Sequence, residues 1–97
     1  IPAAVGEYRR AELRSADPMT NPYIAYTLLI YAGMYGLEHD LQLCPASDFN
    51  VYTAPAEVLD GLEKLPVSLS EAAALAEASA FIRRHLPEAV ISAYCRP

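Results

Sequence analysis

The feature that most constrains this chain is an uncharged, mostly apolar run from Tyr23 to about Leu37. Its length and its lack of internal proline favour a helix over a strand. Asn21 is suited to the N-cap position, and Pro22 to the first helical position, where no backbone N–H is needed. Because a helix without a polar face has to be covered on all sides, we expect this helix to be buried at the centre of the fold.

Prolines and capping signals divide the rest of the chain into shorter helices. The S-x-x-E capping box from Ser68 to Glu71 opens an alanine-rich helix, and Pro66 ends the helix before it. The helices predicted in this part of the chain cover residues 55–64, 71–78, 81–86 and 87–94. We therefore expect residues 22–96 to be helical, with an irregular stretch at 38–54.

Residues 1–15 are predicted to form an extended segment, in which polar and apolar side chains alternate from Tyr8 onward. Arg10, Glu12 and Arg14 then fall on one side of the strand. The predicted fold class is mainly α (α+β in a longer parent), with one N-terminal strand followed by four to five helices in a single domain, 1–97. A lone strand cannot satisfy its own backbone hydrogen bonds, so residues 8–14 should pair with another chain segment or a second copy.

Composition excludes several classes of protein. The chain has 97 residues, enough for one small domain, and its net charge of -5 disfavours a nucleic-acid partner. Hydrophobic residues make up 54% and charged residues 20%, which indicates apolar surface meant for another chain or another domain. The longest apolar run is too short to span a membrane, and no signal peptide is apparent, so we expect a cytoplasmic protein. Because the first residue is Ile1, we expect the chain to be processed or cut from something longer.

The row Arg10, Glu12 and Arg14 is the candidate functional site. Alternate side chains of a strand lie about 6.6–6.8 Å apart on one face. Glu12 could therefore hold a divalent metal, and the two guanidiniums could hold phosphate or carboxylate oxygens. The alternative is a solvated ladder of salt bridges that contributes little. By spacing alone the ladder is favoured, because R-x-E-x-R is a common pattern.

Longer motifs surround this row. The pattern R-x-E-x-R-x-x-D-x-x-x-N-P-Y, from Arg10 to Tyr23, resembles the strand–turn–helix signature of glutamine synthetases. Three later segments also resemble motifs of that family, in the same order: A-G-x-x-G-L at 32–37, N-x-Y at 50–52 and L-P-x-S-L-x-E-A at 65–72. The resemblance covers the C-terminal quarter or so of such an enzyme.

The resemblance implies an ATP-dependent ligase that joins ammonia to glutamate through γ-glutamyl phosphate, with Mg²⁺ or Mn²⁺ as cofactor. Glu12 matches a ligand of the metal bound to ATP, and Arg10 an arginine near the ATP phosphates. Arg14 matches an arginine that contacts the side-chain carboxylate of the substrate glutamate. Tyr52 matches a tyrosine that some bacterial relatives adenylylate; the alternative is a loop aromatic packed against a helix.

In that family the active site lies between subunits, and most of its catalytic groups lie upstream of this segment. The resemblance therefore implies three things: the remainder of such a chain and neighbouring subunits as partners, a homo-oligomeric parent, and an isolated chain that is inactive. Two alternatives stay open. One is a stand-alone, non-catalytic helical interaction or oligomerisation module that self-associates through its apolar helix and unpaired strand. The other is a related ligase that joins glutamate to a different amine.

Overall fold

Helices account for the regular structure of this chain. The computed structural model describes residues 6–96. A single 3₁₀ turn, Gly6–Tyr8, comes first. The five α-helices are α1 (Pro22–Glu38), α2 (Ala56–Asp60), α3 (Leu69–Ala78), α4 (Ala80–His85) and α5 (Glu88–Cys95). The prediction of a mainly helical chain with four to five helices is confirmed.

Local hydrogen bonds satisfy free backbone groups at both ends of helix α1. The side chain of Asn21 accepts hydrogen bonds from the backbone N–H groups of Tyr23 and Ile24, so the predicted N-cap is present. At the other end Asp40 adopts a left-handed φ of 48°. The backbone N–H of Leu41 donates to the carbonyl of Gly36, which closes the helix in a Schellman-type motif.

The later helices are also delimited by local side-chain caps. Ser68 accepts a hydrogen bond from the backbone N–H of Glu71, whose carboxylate in turn accepts from the N–H of Val67. Ser79 serves two helices, since its N–H caps the end of α3 and its hydroxyl accepts from the N–H of Ile82 at the start of α4. Helix α2 is shorter than the predicted 55–64 and ends before Gly61.

The predicted strand is not formed in the described part of residues 1–15; residues 1–5 lie outside that part. Residues 6–96 contain no β-strand. From Arg10 to Ala16 the backbone makes no hydrogen bond to another backbone group of these residues. The physical reason is the one that makes any lone strand unstable: a ladder needs a neighbouring strand, and the described chain offers none.

Three pairs of helices pack against each other. Helix α3 packs against α5, and α4 packs against α1 and α3. Between α1 and α4 the rings of Tyr31 and His85 stack with their centroids 4.1 Å apart. Within α4 the ring centroids of Phe81 and His85 lie 4.7 Å apart. Ile91 of α5, only 3% exposed, is the one buried hydrophobic residue among the described residues. The core is therefore small and lies under the C-terminal helices.

An ion-pair cluster ties the C-terminal end of α5 to α3. The guanidinium of Arg96 donates from Nε to the carboxylate of Glu77 at 2.6 Å and lies 3.5 Å from the carboxylate of Glu88. Arg83 donates to the backbone carbonyl of Glu77. The hydrogen bond that Arg96 donates to the Glu77 carboxylate, followed by the negative charge of that carboxylate, raises the pKa of Arg96. This cluster connects the end of α5 to α3, although ion pairs this open to water contribute little to stability.

The prediction that α1 is buried is wrong for this chain. One face of α1 packs on its neighbours, but the opposite face is open: Tyr23 is 83% exposed, Tyr26 67%, Ile30 63% and Leu37 85%. The total accessible surface is 8691 Å², whereas about 5,500 Å² is typical of a folded monomer of this mass. Helix α1 therefore has an apolar face that the described residues leave uncovered.

Among residues 6–96, no helix combines the length and the apolar character needed to cross a membrane.

Candidate functional site

The charged row of the N-terminal segment is held together by ion pairs. One oxygen of the Glu12 carboxylate, Oε1, accepts from Nη2 of Arg14 at 2.9 Å and from its Nε at 3.2 Å. The other oxygen, Oε2, lies 2.9 Å from Nη2 of Arg10. The three side chains therefore meet on one side of the backbone, as the alternation predicts, although no strand is formed.

The two arginines are much more exposed than the acid between them. The side chain of Arg14 is 84% exposed and that of Arg10 57%, against 31% for Glu12. Pairs this open to water contribute little to stability. The row therefore does not serve mainly to hold the fold together, and its guanidiniums are accessible to dissolved anions.

The other side of the row faces α1. Ala11 and Leu13, the residues between the charged ones, line an open cleft of about 500 Å³ together with Ala25, Tyr26 and Leu29 of α1. The apolar side of the segment therefore lies along the first turns of that helix. This arrangement leaves the charged side of the segment free.

A tight turn connects the row to α1. Its first residue, Asp17, accepts a hydrogen bond from the backbone N–H of Met19 at 2.7 Å and donates its own N–H to the hydroxyl of Thr20. The side chain of Asn21 donates from Nδ2 to the hydroxyl of Tyr94 in α5 at 2.9 Å. Sequence reasoning missed Tyr94, since no local pattern links residues so far apart in the chain.

A second cavity, of about 390 Å³, lies between the helices beside this turn. Its walls are almost entirely apolar side chains; among them are Ile24, Leu28, Ile82, Leu86 and Val90. Three titratable residues, Asp17, Tyr94 and Cys95, also line this cavity. The carboxylate of Asp17 and the hydroxyl of Tyr94 already accept hydrogen bonds within the chain, so the row remains the better candidate for chemistry.

The row can supply one ligand to a metal ion. Among the described residues there is no cluster of three or more histidine, cysteine or acidic side chains. The carboxylate of Glu12 is the hard oxygen donor that Mg²⁺ and Mn²⁺ prefer. It fits such an ion as a single ligand, and the other ligands would come from water, a nucleotide or residues outside this segment.

Tyr52 lies apart from the row, in a turn between α1 and α2. Its side chain is 94% exposed, and its backbone N–H donates to Oδ1 of Asn50 at 2.9 Å. The interpretation of Tyr52 as an aromatic packed against a helix is therefore wrong. Its hydroxyl is accessible from solution.

Comparison with known proteins places this sequence in a family. A family model described as "Glutamine synthetase, catalytic domain" matches residues 1–97. A glutamine synthetase of Methanosarcina mazei is 33% identical over 96 residues, which cover 97% of this chain and 22% of the relative. One of Mycobacterium tuberculosis is 36% identical over 90 residues, covering 91% of this chain and 20% of the relative. No solved structure matches the chain.

The chain therefore belongs to the glutamine synthetase catalytic-domain family. It spans about one fifth of the length of the curated relatives named above. The order of the four motifs along the chain is thus accounted for by common descent.

Proposed function

We propose that this chain carries part of the active site of a glutamine synthetase, which uses ATP to join ammonia to glutamate. The observation that carries the proposal is the meeting of Arg10, Glu12 and Arg14 on one exposed side of the backbone, in a chain of this family. A carboxylate between two guanidiniums provides groups for both partners of a metal–nucleotide complex, the cation and the phosphate oxygens.

Each member of the row has a distinct proposed role. Glu12 is a ligand of the Mg²⁺ or Mn²⁺ ion that accompanies ATP. That ion, when bound, would neutralise charge on the phosphates during phosphoryl transfer. Arg10 binds the ATP phosphates, and Arg14 binds the side-chain carboxylate of glutamate, for which a planar guanidinium is well shaped. Tyr52, exposed in its turn, is proposed as a site that a modifying enzyme can reach.

The remainder of a catalytic domain and neighbouring subunits are the proposed partners. Two observations support them. The accessible surface exceeds that of a typical monomer of this mass by about 3,000 Å², well above the ~800 Å² that one partner buries in a standard interface. The backbone from Arg10 to Ala16 is also free of hydrogen bonds to other described backbone groups, so it can join a sheet supplied by the partner.

The metal role of Glu12 can be tested on this chain with Mn²⁺, a paramagnetic ion. We expect Mn²⁺ to broaden the NMR amide signals of residues 10–14 before those of the rest of the chain. Glu12→Gln should abolish this selective broadening, because it removes the charged oxygen donor while keeping the size of the side chain. Glu7→Gln is the control: it removes one negative charge nearby and should leave the selective broadening unchanged. Equal broadening in all three proteins would contradict the proposal.

The chain by itself should not turn over substrates. Catalysis by a ligase depends on positioning several substrates together, and this row contributes only a few of the groups involved. We expect no phosphate release that depends on glutamate, ATP and ammonia. Release clearly above that of a Glu12→Ala control would show that the described row suffices for activity, contrary to the proposal.

A second candidate function is a stand-alone helical module that self-associates without catalysis. The open apolar face of α1 favours it. A ligase that joins glutamate to another amine shares the same row, because the groups that choose the amine are not among those proposed here. Of these two alternatives, only the stand-alone module predicts that Glu12→Gln leaves the binding of metal ions and anions unchanged.

A further inference from the structure

We propose that Glu12 masks Arg10 and Arg14 when no ligand is present, so that a cation at Glu12 and oxyanions at the arginines bind cooperatively. The identities of these ligands, a divalent metal ion and phosphate or carboxylate groups, rest on the proposed function. The masking itself rests on the geometry of the ion pairs. The proposal thus concerns how the ion pairs within the row control the binding of its ligands.

The masking follows from how completely the Glu12 carboxylate is used. Both of its oxygens are occupied, Oε1 by two N–H groups of Arg14 and Oε2 by Arg10. A metal ion at this carboxylate would compete with both guanidiniums. Conversely, an anion that approaches Arg10 or Arg14 would compete with Glu12 for the N–H groups that it already engages, Nη2 of Arg10 and Nε and Nη2 of Arg14.

Cooperativity is the thermodynamic consequence. A cation that takes the carboxylate releases both guanidiniums, and an anion that takes a guanidinium releases a carboxylate oxygen. Each ligand therefore raises the affinity for the other by the same factor. Exposed ion pairs are weak, so we expect a factor of about three to ten rather than several hundred.

Inorganic phosphate, without metal, is the probe that isolates masking. Its dissociation constant is measured at low salt by NMR titration of the arginine side-chain and backbone signals of residues 10–14. Glu12→Gln should tighten phosphate binding about three- to tenfold, because a neutral amide no longer holds the guanidiniums. The matched control is Glu7→Gln, which removes one negative charge from an acid that forms no ion pair among the described residues. It should change the constant less than twofold.

The outcomes separate masking from the proposed function. If Glu12→Gln and Glu7→Gln tighten phosphate binding equally, net charge alone is responsible and masking is overturned. Masking is also overturned if Glu12→Gln does not tighten phosphate binding. Because the titration contains no metal, this result is independent of the Mn²⁺ experiment. Selective tightening in a chain that shows no Mn²⁺ broadening would support masking and contradict the metal role of Glu12.

Discussion

Asn21 joins two distant parts of the chain with the two ends of one side-chain amide. Its Oδ1 accepts from backbone N–H groups at the start of α1, and its Nδ2 donates to the hydroxyl of Tyr94 in α5. The amide can satisfy both partners in one orientation only, because one end accepts and the other donates. The turn that follows the charged row is thereby attached to the C-terminal helix.

Tyr94→Phe is expected to lower the free energy of unfolding by about 0.5–1 kcal/mol, since it removes one hydrogen bond at a partly exposed site. Thermal or urea unfolding followed by circular dichroism measures the change. Tyr52→Phe is the matched control, because it deletes the same hydroxyl from an exposed side chain and should be neutral. Equal stabilities of the two variants would mean that the bond to Asn21 contributes nothing.

At this scale the sequence predicts what depends on near neighbours. The alternation around Glu12 predicts that the three charged side chains share a side, and the salt-bridge ladder is one of the two interpretations that it leaves open. The partnership of Asn21 and Tyr94 could not be predicted, because it depends on how α5 returns to the start of α1. The ligands of the row cannot be read from spacing, since the same charges suit a ladder and a binding site.

Among the elements, α1 shows most clearly which properties are local. Its start at Asn21 and Pro22 is fixed by residues that act within one turn, so it could be predicted. Its burial could not, because burial depends on what lies against it. The missing strand has the same explanation: the alternating pattern of residues 8–14 is present, but a ladder needs a partner that the described residues do not contain.

The two faces of α1 should respond differently to loss of a leucine. Leu28 is half-buried and lines the cavity between the helices, whereas Leu29 is 42% exposed and borders the cleft beside Leu13. We expect Leu28→Ala to cost about 1–2 kcal/mol, less than the ~2–5 kcal/mol of a fully buried site. Leu29→Ala should cost less than half of that. Denaturant unfolding measures both, and a larger loss for Leu29→Ala would reverse our assignment of the packed face.

For the molecule as a whole, the unburied surface is the dominant property. The radius of gyration is 16.0 Å, against about 13 Å for a compact domain of this length. A chain that exposes a continuous apolar helix face tends to associate. The size of the uncovered surface could be suspected from the 54% hydrophobic composition, but its location depends on the packing of the other helices.

We expect the chain to self-associate through the open face of α1. Ile30→Lys places a charge at the middle of that face and should raise the dissociation constant of the associated form at least about tenfold, because an apolar side chain contributes about 1.5–3 kcal/mol on burial. Sedimentation equilibrium measures it, and circular dichroism checks that helicity is kept. Leu43→Lys, at a 90% exposed loop position, is the control. The same constant for both variants would exclude this face as the contact.

Because Ser79 alone separates α3 from α4, the direction in which the side chains of α4 point depends on the number of residues at this junction. Helix α3 ends and α4 begins on either side of this single residue. Inserting or deleting one residue there would turn α4 by about 100° about its axis. The ring of His85 would then swing away from Tyr31, and the ring of Phe81 away from Tyr35. Length variation is therefore far less tolerable at this junction than in the long connection between α1 and α2.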